Sequence, residues 1–150
     1  MSNRIDAILL AEDDPNDVLL MRHVFNKLNL ASLLQVVNDG EQAVDYLQGK
    51  GAYENRDRYP LPALLLLDLK MPRKSGFEVI EWIRQQPALK RLPIIVLTSS
   101  RETNDINRAY DLGANSYVAK VGKQEALLDL VKNLNQYWGL INEKPNIHSA

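Results

Sequence analysis

The chain of 150 residues contains no cysteine. This absence excludes a disulfide framework, a thiol nucleophile and a metal site built on thiolates, and it fits a reducing compartment. The chain also has little net charge, at −1, so electrostatics gives no reason to expect nucleic acid or an anionic membrane as a partner. We therefore expect no nucleic acid and no membrane among its partners.

Long hydrophobic runs are absent as well. No stretch reaches the ~18 apolar residues of a membrane-spanning helix, and the amino terminus lacks the pattern of a signal peptide. Hydrophobic residues nevertheless make up 45% of the chain, which is ordinary for a globular domain with a real core. We predict a single cytoplasmic domain over residues 1–150, with a core from about 5 to 137 and a C-terminal extension over 138–150.

The most informative stretch is an apolar run over residues 63–67 that ends at Asp68. Such a run predicts a strand buried on both faces, as in the centre of a parallel sheet. A carboxylate at its end is costly to keep charged unless a cation or hydrogen-bond donors lie nearby. Pro72 and Gly76 then predict a shaped loop before the next helix. Taken alone, Asp68 would most simply cap a turn, but the other strand ends argue for chemistry.

Five apolar segments alternate with amphipathic segments along the chain. The predicted strands cover residues 5–11, 33–37, 63–67, 93–97 and 116–119. Five such units predict an α/β fold with a doubly wound, flavodoxin-like parallel sheet in the order 2-1-3-4-5 and five helices. In this order the first and third strands are neighbours whose helices lie on opposite faces, and ligands bind at that point.

Local signals mark where the helices begin and end. Asp14 and Pro15 predict the start of the first helix, and Gly49 and Gly113 predict the ends of the second and fourth helices. The polar connection over residues 49–62 is expected to be a surface excursion, and the residues after 138 are expected to be frayed.

Polar residues follow the predicted strands at the edge where ligands bind. The carboxylates Glu12, Asp13 and Asp68 follow the first and third strands, and Thr98 and Lys120 follow the fourth and fifth. Three neighbouring carboxylates repel one another strongly unless a cation lies among them. Oxygen ligands without His or Cys favour a hard ion such as Mg²⁺. An ammonium and a hydroxyl beside them suit a tetrahedral dianion, with Asp68 as the nucleophile toward phosphorus.

These residues, in this order, resemble those of the receiver domains of bacterial two-component response regulators, the CheY-like family. The resemblance covers about residues 5–137. It rests on the acidic pair Glu12-Asp13, on Asp68 followed by Met71-Pro72 and Gly76, on Thr98, and on Tyr117 three residues before Lys120.

The resemblance implies that Asp68 accepts a phosphoryl group from a phosphohistidine on a sensor histidine kinase. It implies that Mg²⁺ is held by Glu12, Asp13, Asp68 and the backbone carbonyl of Lys70, and that Lys120 pairs with the phosphoryl oxygens. Thr98 and Tyr117 would form the switch that changes the face formed by the fourth helix, the fifth strand and the fifth helix. Lys70 and Ser100 lie where family members tune the lifetime of the phosphoryl group.

A narrower resemblance concerns the connection over residues 51–62 and the sequence Gln136-Tyr137-Trp138. Both are similar to the stand-alone regulators of cyanobacterial phytochrome-type histidine kinases. The chain leaves no room for an output domain, so we expect signalling through contacts with an unknown downstream protein. We expect no enzymatic turnover beyond self-phosphorylation and slow self-dephosphorylation. The tail side chains either cap the core or form a homodimer contact, which their apolar character favours; they are Tyr137, Trp138, Leu140 and Ile141.

One departure and three alternatives accompany this interpretation. The family commonly has Pro after the lysine, where this chain has Val121, so a trans bond and a reshaped loop are expected there. A flavin binder would need a phosphate-cradling loop where this chain has acids. A phosphohydrolase would usually show a second acid at the position of Lys70. A pseudo-receiver that works without phosphate is opposed by the complete set of polar residues at the strand ends.

Overall fold

The computed structural model describes residues 7–120 and 122–150. Within these residues the chain forms five strands, each followed by a helix. The strands are β1 (Ile8–Ala11), β2 (Leu34–Val37), β3 (Leu64–Leu67), β4 (Ile94–Thr98) and β5 (Ser116–Ala119). The helices are α1 (Pro15–Lys27), α2 (Gly40–Gln48), α3 (Gly76–Gln85), α4 (Thr103–Leu112) and α5 (Gln124–Leu134), and α5 continues into a π-helical segment over Asn135–Ile141.

The strands form one parallel sheet in the order β2-β1-β3-β4-β5, which confirms the predicted fold. The register places Ala11 of β1 beside Leu67 of β3, so the residues that follow these two strands leave the sheet side by side. In the same way Thr98, the last residue of β4, pairs with Ala119 of β5. The register alone therefore brings four strand ends to a common edge.

The predicted helix boundaries have clear local causes. The side chain of Asp14 accepts a hydrogen bond from the Asn16 N–H and caps α1, as its sequence position predicts. Ser75 and Glu78 form a reciprocal capping box at the start of α3. Gly49 and Gly113 end α2 and α4 in the left-handed conformation, with φ of 70° and 118°, where a residue without Cβ is favoured.

The core lies in two layers, one on each face of the sheet. The layer covered by α2, α3 and α4 includes Leu65, Val96 and Ile80, with Trp82 packed against it. The layer covered by α1 and α5 includes Leu66, Phe25 and Val131, with Trp138 packed against it. Strands buried on both faces explain why their sequences are continuously apolar.

Four expectations need correction or fall outside the described residues. The helical spacing predicts Ala43, Val44 and Leu47 on the inner face of α2, but Val44 is only partly buried, whereas Tyr46 is fully buried. The connection over residues 49–62 is not merely a surface excursion, because its tyrosines pack on the core. The tail is not frayed, because Ile147 packs on the same layer. The predicted start of the first strand, residues 5–6, lies outside the described residues.

No helix in the described parts of the chain is long and apolar enough to cross a membrane.

Candidate functional site

Asp68 follows β3 directly and lies at the carboxyl edge of the sheet. Its backbone N–H donates to the Ala11 carbonyl at 3.1 Å, which fixes the residue between β3 and β1. Only 7% of Asp68 is exposed. A carboxylate this buried needs compensating groups, and the neighbouring strand ends supply them.

Two further carboxylates lie beside Asp68. Among the residues that the structure describes, Glu12, Asp13 and Asp68 offer carboxylate oxygens that all lie within 4.8 Å of one another. Glu12 is buried and Asp13 is exposed, so the cluster opens to solvent on one side. Burial raises the pKa of Glu12 to about 7, against the lowering effect of the Lys120 ammonium and the Asp14 N–H. Carboxylates this close together repel one another, and a divalent cation bound among them relieves that repulsion.

Lys120 reaches the cluster from the end of β5. Its Nζ lies 2.7 Å from Glu12 Oε1, 2.8 Å from Asp17 Oδ2 and 3.2 Å from Asp68 Oδ2. Burial alone lowers the pKa of Lys120, but hydrogen bonds to Asp17 and Glu12 and the charge of Asp68 outweigh it and raise the pKa above its ordinary value. The ammonium therefore stays charged at neutral pH.

Thr98 presents a hydroxyl at the same edge. The residue is completely buried, and its Oγ1 has no hydrogen-bond partner among the described residues. Buried hydroxyl groups are nearly always paired, so Thr98 leaves a donor available at the end of β4.

Tyr117 is joined to the loop between β4 and α4. Its hydroxyl donates to the Ser100 carbonyl at 2.9 Å. The Ser100 hydroxyl in turn donates to Asp105 Oδ2 at 2.7 Å, in the first turn of α4. Tyr117 therefore contacts the segment that connects Thr98 to α4.

The loop after Asp68 is held in place from two sides. An ideal Cβ on Gly40 would lie 1.9 Å from the Lys74 carbonyl oxygen, so the start of α2 packs directly on this loop. Arg73 has a φ of 65°, and its Nε donates to Asp39 Oδ2 at 2.9 Å. Lys70 lies in this loop with its side chain exposed.

The structure thus brings together Glu12, Asp13, Asp68, Thr98 and Lys120, the residues that the sequence placed at one edge. Sequence reasoning missed Asp17, whose position in the first turn of α1 indicated only a favourable helix start. It also missed Asp39 as an anchor of the loop. Val121, the predicted departure, lies outside the described residues.

Comparison with known proteins agrees with this arrangement. The family model of the response regulator receiver domain matches residues 8–132. The response regulator Rcp1 of Synechocystis sp. is 38% identical over 137 residues, which cover 91% of each chain. The chain belongs to the response regulator receiver family. As a receiver domain it is part of a two-component system, and its homologues include phytochrome-linked regulators.

Solved structures resemble this receiver domain over nearly its whole length. The Mn²⁺-bound form of Rcp1 gives a TM-score of 0.81 at 36% identity, covering 93% of this chain and 99% of that one. The phosphorylated cyanobacterial phytochrome response regulator RcpA gives 0.84 at 34% identity, covering 94% and 99%. The response regulator RPA3017, in red light signalling of R. palustris, gives 0.86 at 33% identity, covering 93% and 98%.

Proposed function

We propose that Asp68 is the phosphoacceptor of a two-component pathway and receives its phosphoryl group from a phosphohistidine on a sensor histidine kinase. One Asp68 oxygen forms the new O–P bond while the P–N bond to the imidazole breaks, and the electron pair stays on the imidazole nitrogen. The observation that carries this proposal is the convergence of a buried carboxylate, a charged ammonium and the unpaired Thr98 hydroxyl at one edge. The ammonium and the hydroxyl are donors that suit the equatorial oxygens of a phosphoryl group.

We propose Mg²⁺ as the cofactor. Glu12, Asp13, Asp68 and the backbone carbonyl of Lys70 would hold it, and the oxygen-only donor set fits a hard divalent cation. When bound, the ion neutralises carboxylate and phosphoryl charge. The Mn²⁺-bound form of Rcp1, a relative of similar fold, supports a divalent ion as a ligand of this chain.

The switch is proposed to involve Thr98 and Tyr117. Thr98 Oγ1 is free to donate to a phosphoryl oxygen, and Tyr117 contacts the loop that follows Thr98. A shift of Thr98 toward Asp68 would therefore move the loop that Tyr117 and Asp105 share. Signalling then proceeds through altered contacts of α4 and β5 with a downstream protein, without turnover of external substrates beyond self-phosphorylation and slow self-dephosphorylation.

The partners are proposed to be a phytochrome-type histidine kinase and a second copy of this chain. The phytochrome-linked regulators among its relatives support the kinase.

Trp138 covers the α1 and α5 layer, but Tyr137, Leu140 and Ile141 are 50%, 53% and 61% exposed. Exposed apolar groups in one short segment suit a homodimer contact. Light scattering over a range of concentrations tests it, and a mass that stays monomeric throughout would refute it.

The proposed function is tested by intact mass spectrometry after incubation with Mg²⁺ and acetyl phosphate. We expect one added phosphoryl group in the parent chain, none in Asp68→Asn and none when a chelator replaces Mg²⁺. Asp129→Asn, an exposed acid on α5, is the matched control and should be modified like the parent. A folded parent that takes up no phosphoryl group would favour a pseudo-receiver that binds partners without phosphate.

A further inference from the structure

Asp17 reaches the site from the first turn of α1, outside the three-carboxylate cluster. Its Oδ2 lies 2.8 Å from Lys120 Nζ, which is closer than Asp68 Oδ2 at 3.2 Å. The Asp17 side chain is 39% exposed, compared with 4% for Glu12 and 8% for Asp68. Lys120 is thus shared between two buried carboxylates and one that water can reach.

The ammonium of Lys120 contacts all three carboxylates, with hydrogen bonds to Asp17 and Asp68 and an ion pair with Glu12. An ammonium has three N–H donors, and Glu12, Asp17 and Asp68 offer three acceptors at hydrogen-bond distance. The backbone of Lys120 is held by its N–H, which donates to the Thr98 carbonyl at 2.8 Å, so only its side chain can adjust. A phosphoryl group on Asp68 adds oxygens, and Lys120 can face them only if one existing contact yields.

The contact with Asp17 costs least to give up. Because Asp17 is partly exposed, water can replace the ammonium as its partner, and exposed ion pairs contribute little. Glu12 is buried, and a buried carboxylate that loses its cation is left with uncompensated charge. Asp17 also places a negative charge near a group that would itself carry about two negative charges, so its presence opposes that group.

We propose that Asp17 is a positioning residue for Lys120, which it holds in the resting site and releases when a phosphoryl group occupies Asp68. The inference rests on the proposed function and deepens it. Because Asp17 belongs to the first turn of α1, this exchange also links occupancy of Asp68 to the start of that helix.

The test compares the parent chain with Asp17→Asn, which keeps the side-chain size and removes the charge. Asp17→Glu retains the charge on a longer side chain, and Asp129→Asn changes the net charge equally from an exposed position on α5. The first readout is the rate at which an amine-acetylating reagent labels Lys120 in the metal-free protein, followed by peptide mass spectrometry. We expect labelling about two- to fivefold faster in Asp17→Asn, as loss of a partly exposed ion pair allows, and rates near the parent in the other two variants.

The second readout is the affinity for beryllofluoride, a tetrahedral phosphoryl mimic, in the presence of Mg²⁺. Asp17→Asn should bind it about two- to fivefold more tightly, with Asp17→Glu and Asp129→Asn near the parent. Where the parent binds beryllofluoride, a folded Asp17→Asn in which either Lys120 labelling or beryllofluoride affinity does not rise refutes the role of Asp17. A parent chain that does not bind beryllofluoride contradicts the proposed function, and the metal-free labelling then decides the role of Asp17 separately.

Discussion

At Gly76 the loop that follows Asp68 comes back against its own strand. An ideal Cβ on Gly76 would lie 2.3 Å from the Asp68 carbonyl oxygen and 2.7 Å from Leu69 Cα. Both are backbone atoms that cannot rotate away, so we expect Gly76→Ala to lower the free energy of unfolding by about 2–4 kcal/mol in urea. Gly122→Ala is the control, because its Cβ would meet no atom of the described residues within 4 Å. Equal stability of the two variants would contradict the close approach.

Tyr46 provides a pH-dependent test of the core. Its hydroxyl donates to the Pro60 carbonyl at 2.8 Å, and burial raises the pKa of Tyr46 from 10.0 to about 12. Below pH 10 the phenol is protonated in both states and contributes no pH dependence. Between pH 10 and 12 the unfolded chain loses this proton while the folded one keeps it, so stability falls as pH rises.

We expect this fall to be on the order of 2 kcal/mol by pH 11.5, relative to Tyr46→Phe. The measurement is urea unfolding of both proteins at pH 9 and pH 11.5. At pH 9 the variant should be less stable by about 1 kcal/mol, because it lacks the hydrogen bond. Parallel losses of stability in the two proteins would show that Tyr46 does not titrate as proposed.

Single residues also show how far sequence reasoning reached into the site. Asp68, Thr98 and Lys120 could be placed at one edge because each follows an apolar strand, and parallel strands end together. Asp17 could not be found, because its sequence position indicates only a helix start, while its partner Lys120 is 103 residues away in the chain. Such a contact depends on how α1 packs on the sheet, and the hydrophobic periodicity of the sequence does not predict that packing.

Between elements, the pair of Asp39 and Arg73 connects α2 to the loop after β3. Asp39 Oδ1 accepts from the Gln42 N–H at 2.7 Å and Oδ2 accepts from Arg73 Nε at 2.9 Å. The Asp39 side chain is 3% exposed and that of Arg73 is 60% exposed. One carboxylate therefore both caps a helix and anchors the loop that contains Lys70.

Two substitutions separate the ion pair from the backbone strain at Arg73. Both Arg73→Ala and Arg73→Gly remove the pair, but only glycine adopts a φ of 65° without cost. We expect Arg73→Gly to be more stable than Arg73→Ala by about 1 kcal/mol in thermal or urea unfolding. The opposite order would mean that the loop relaxes when the guanidinium is lost.

The element boundaries were predictable where a local signal exists, as at Asp14, Gly49 and Gly113. The inner face of α2 was not, because Tyr46 competes with Val44 for the same stripe and tyrosine is also common at surfaces. Its burial depends on Tyr53 and Tyr59, whose rings lie 5.1 and 6.0 Å from that of Tyr46. The connection over residues 49–62 is mostly polar, so its sequence did not predict that Tyr53 and Tyr59 would pack against Tyr46.

Across the whole molecule, the last residues close the edge of the sheet opposite to Asp68. The His148 N–H donates to the Ala88 carbonyl at 2.8 Å, and Arg56 Nη2 donates to Ser149 Oγ at 2.9 Å. Ile147 packs on the layer under α2 and α3. This tail has no hydrophobic period, which is why the sequence indicated only a frayed end.

Removal of residues 146–150 should lower the free energy of unfolding by about 1–3 kcal/mol, because it exposes part of the core. Phosphoryl uptake at Asp68 should be unchanged, since the contacts lie at the amino ends of β3 and β4. Urea unfolding and intact mass spectrometry check the two parts. Ser149→Ala, which removes only the two hydrogen bonds from Arg56, is the control and should cost less than the truncation.

The two tryptophans of this chain lie on different faces of the sheet, with Trp82 on the layer of α2 to α4 and Trp138 on the layer of α1 and α5. Each indole is therefore a natural fluorophore for one face. In Trp82→Phe the emission would report on the side that contains Asp17, and in Trp138→Phe on the side next to α4. Stopped-flow fluorescence of the two variants after mixing with a phosphodonor would time the response of each face separately, without any added dye.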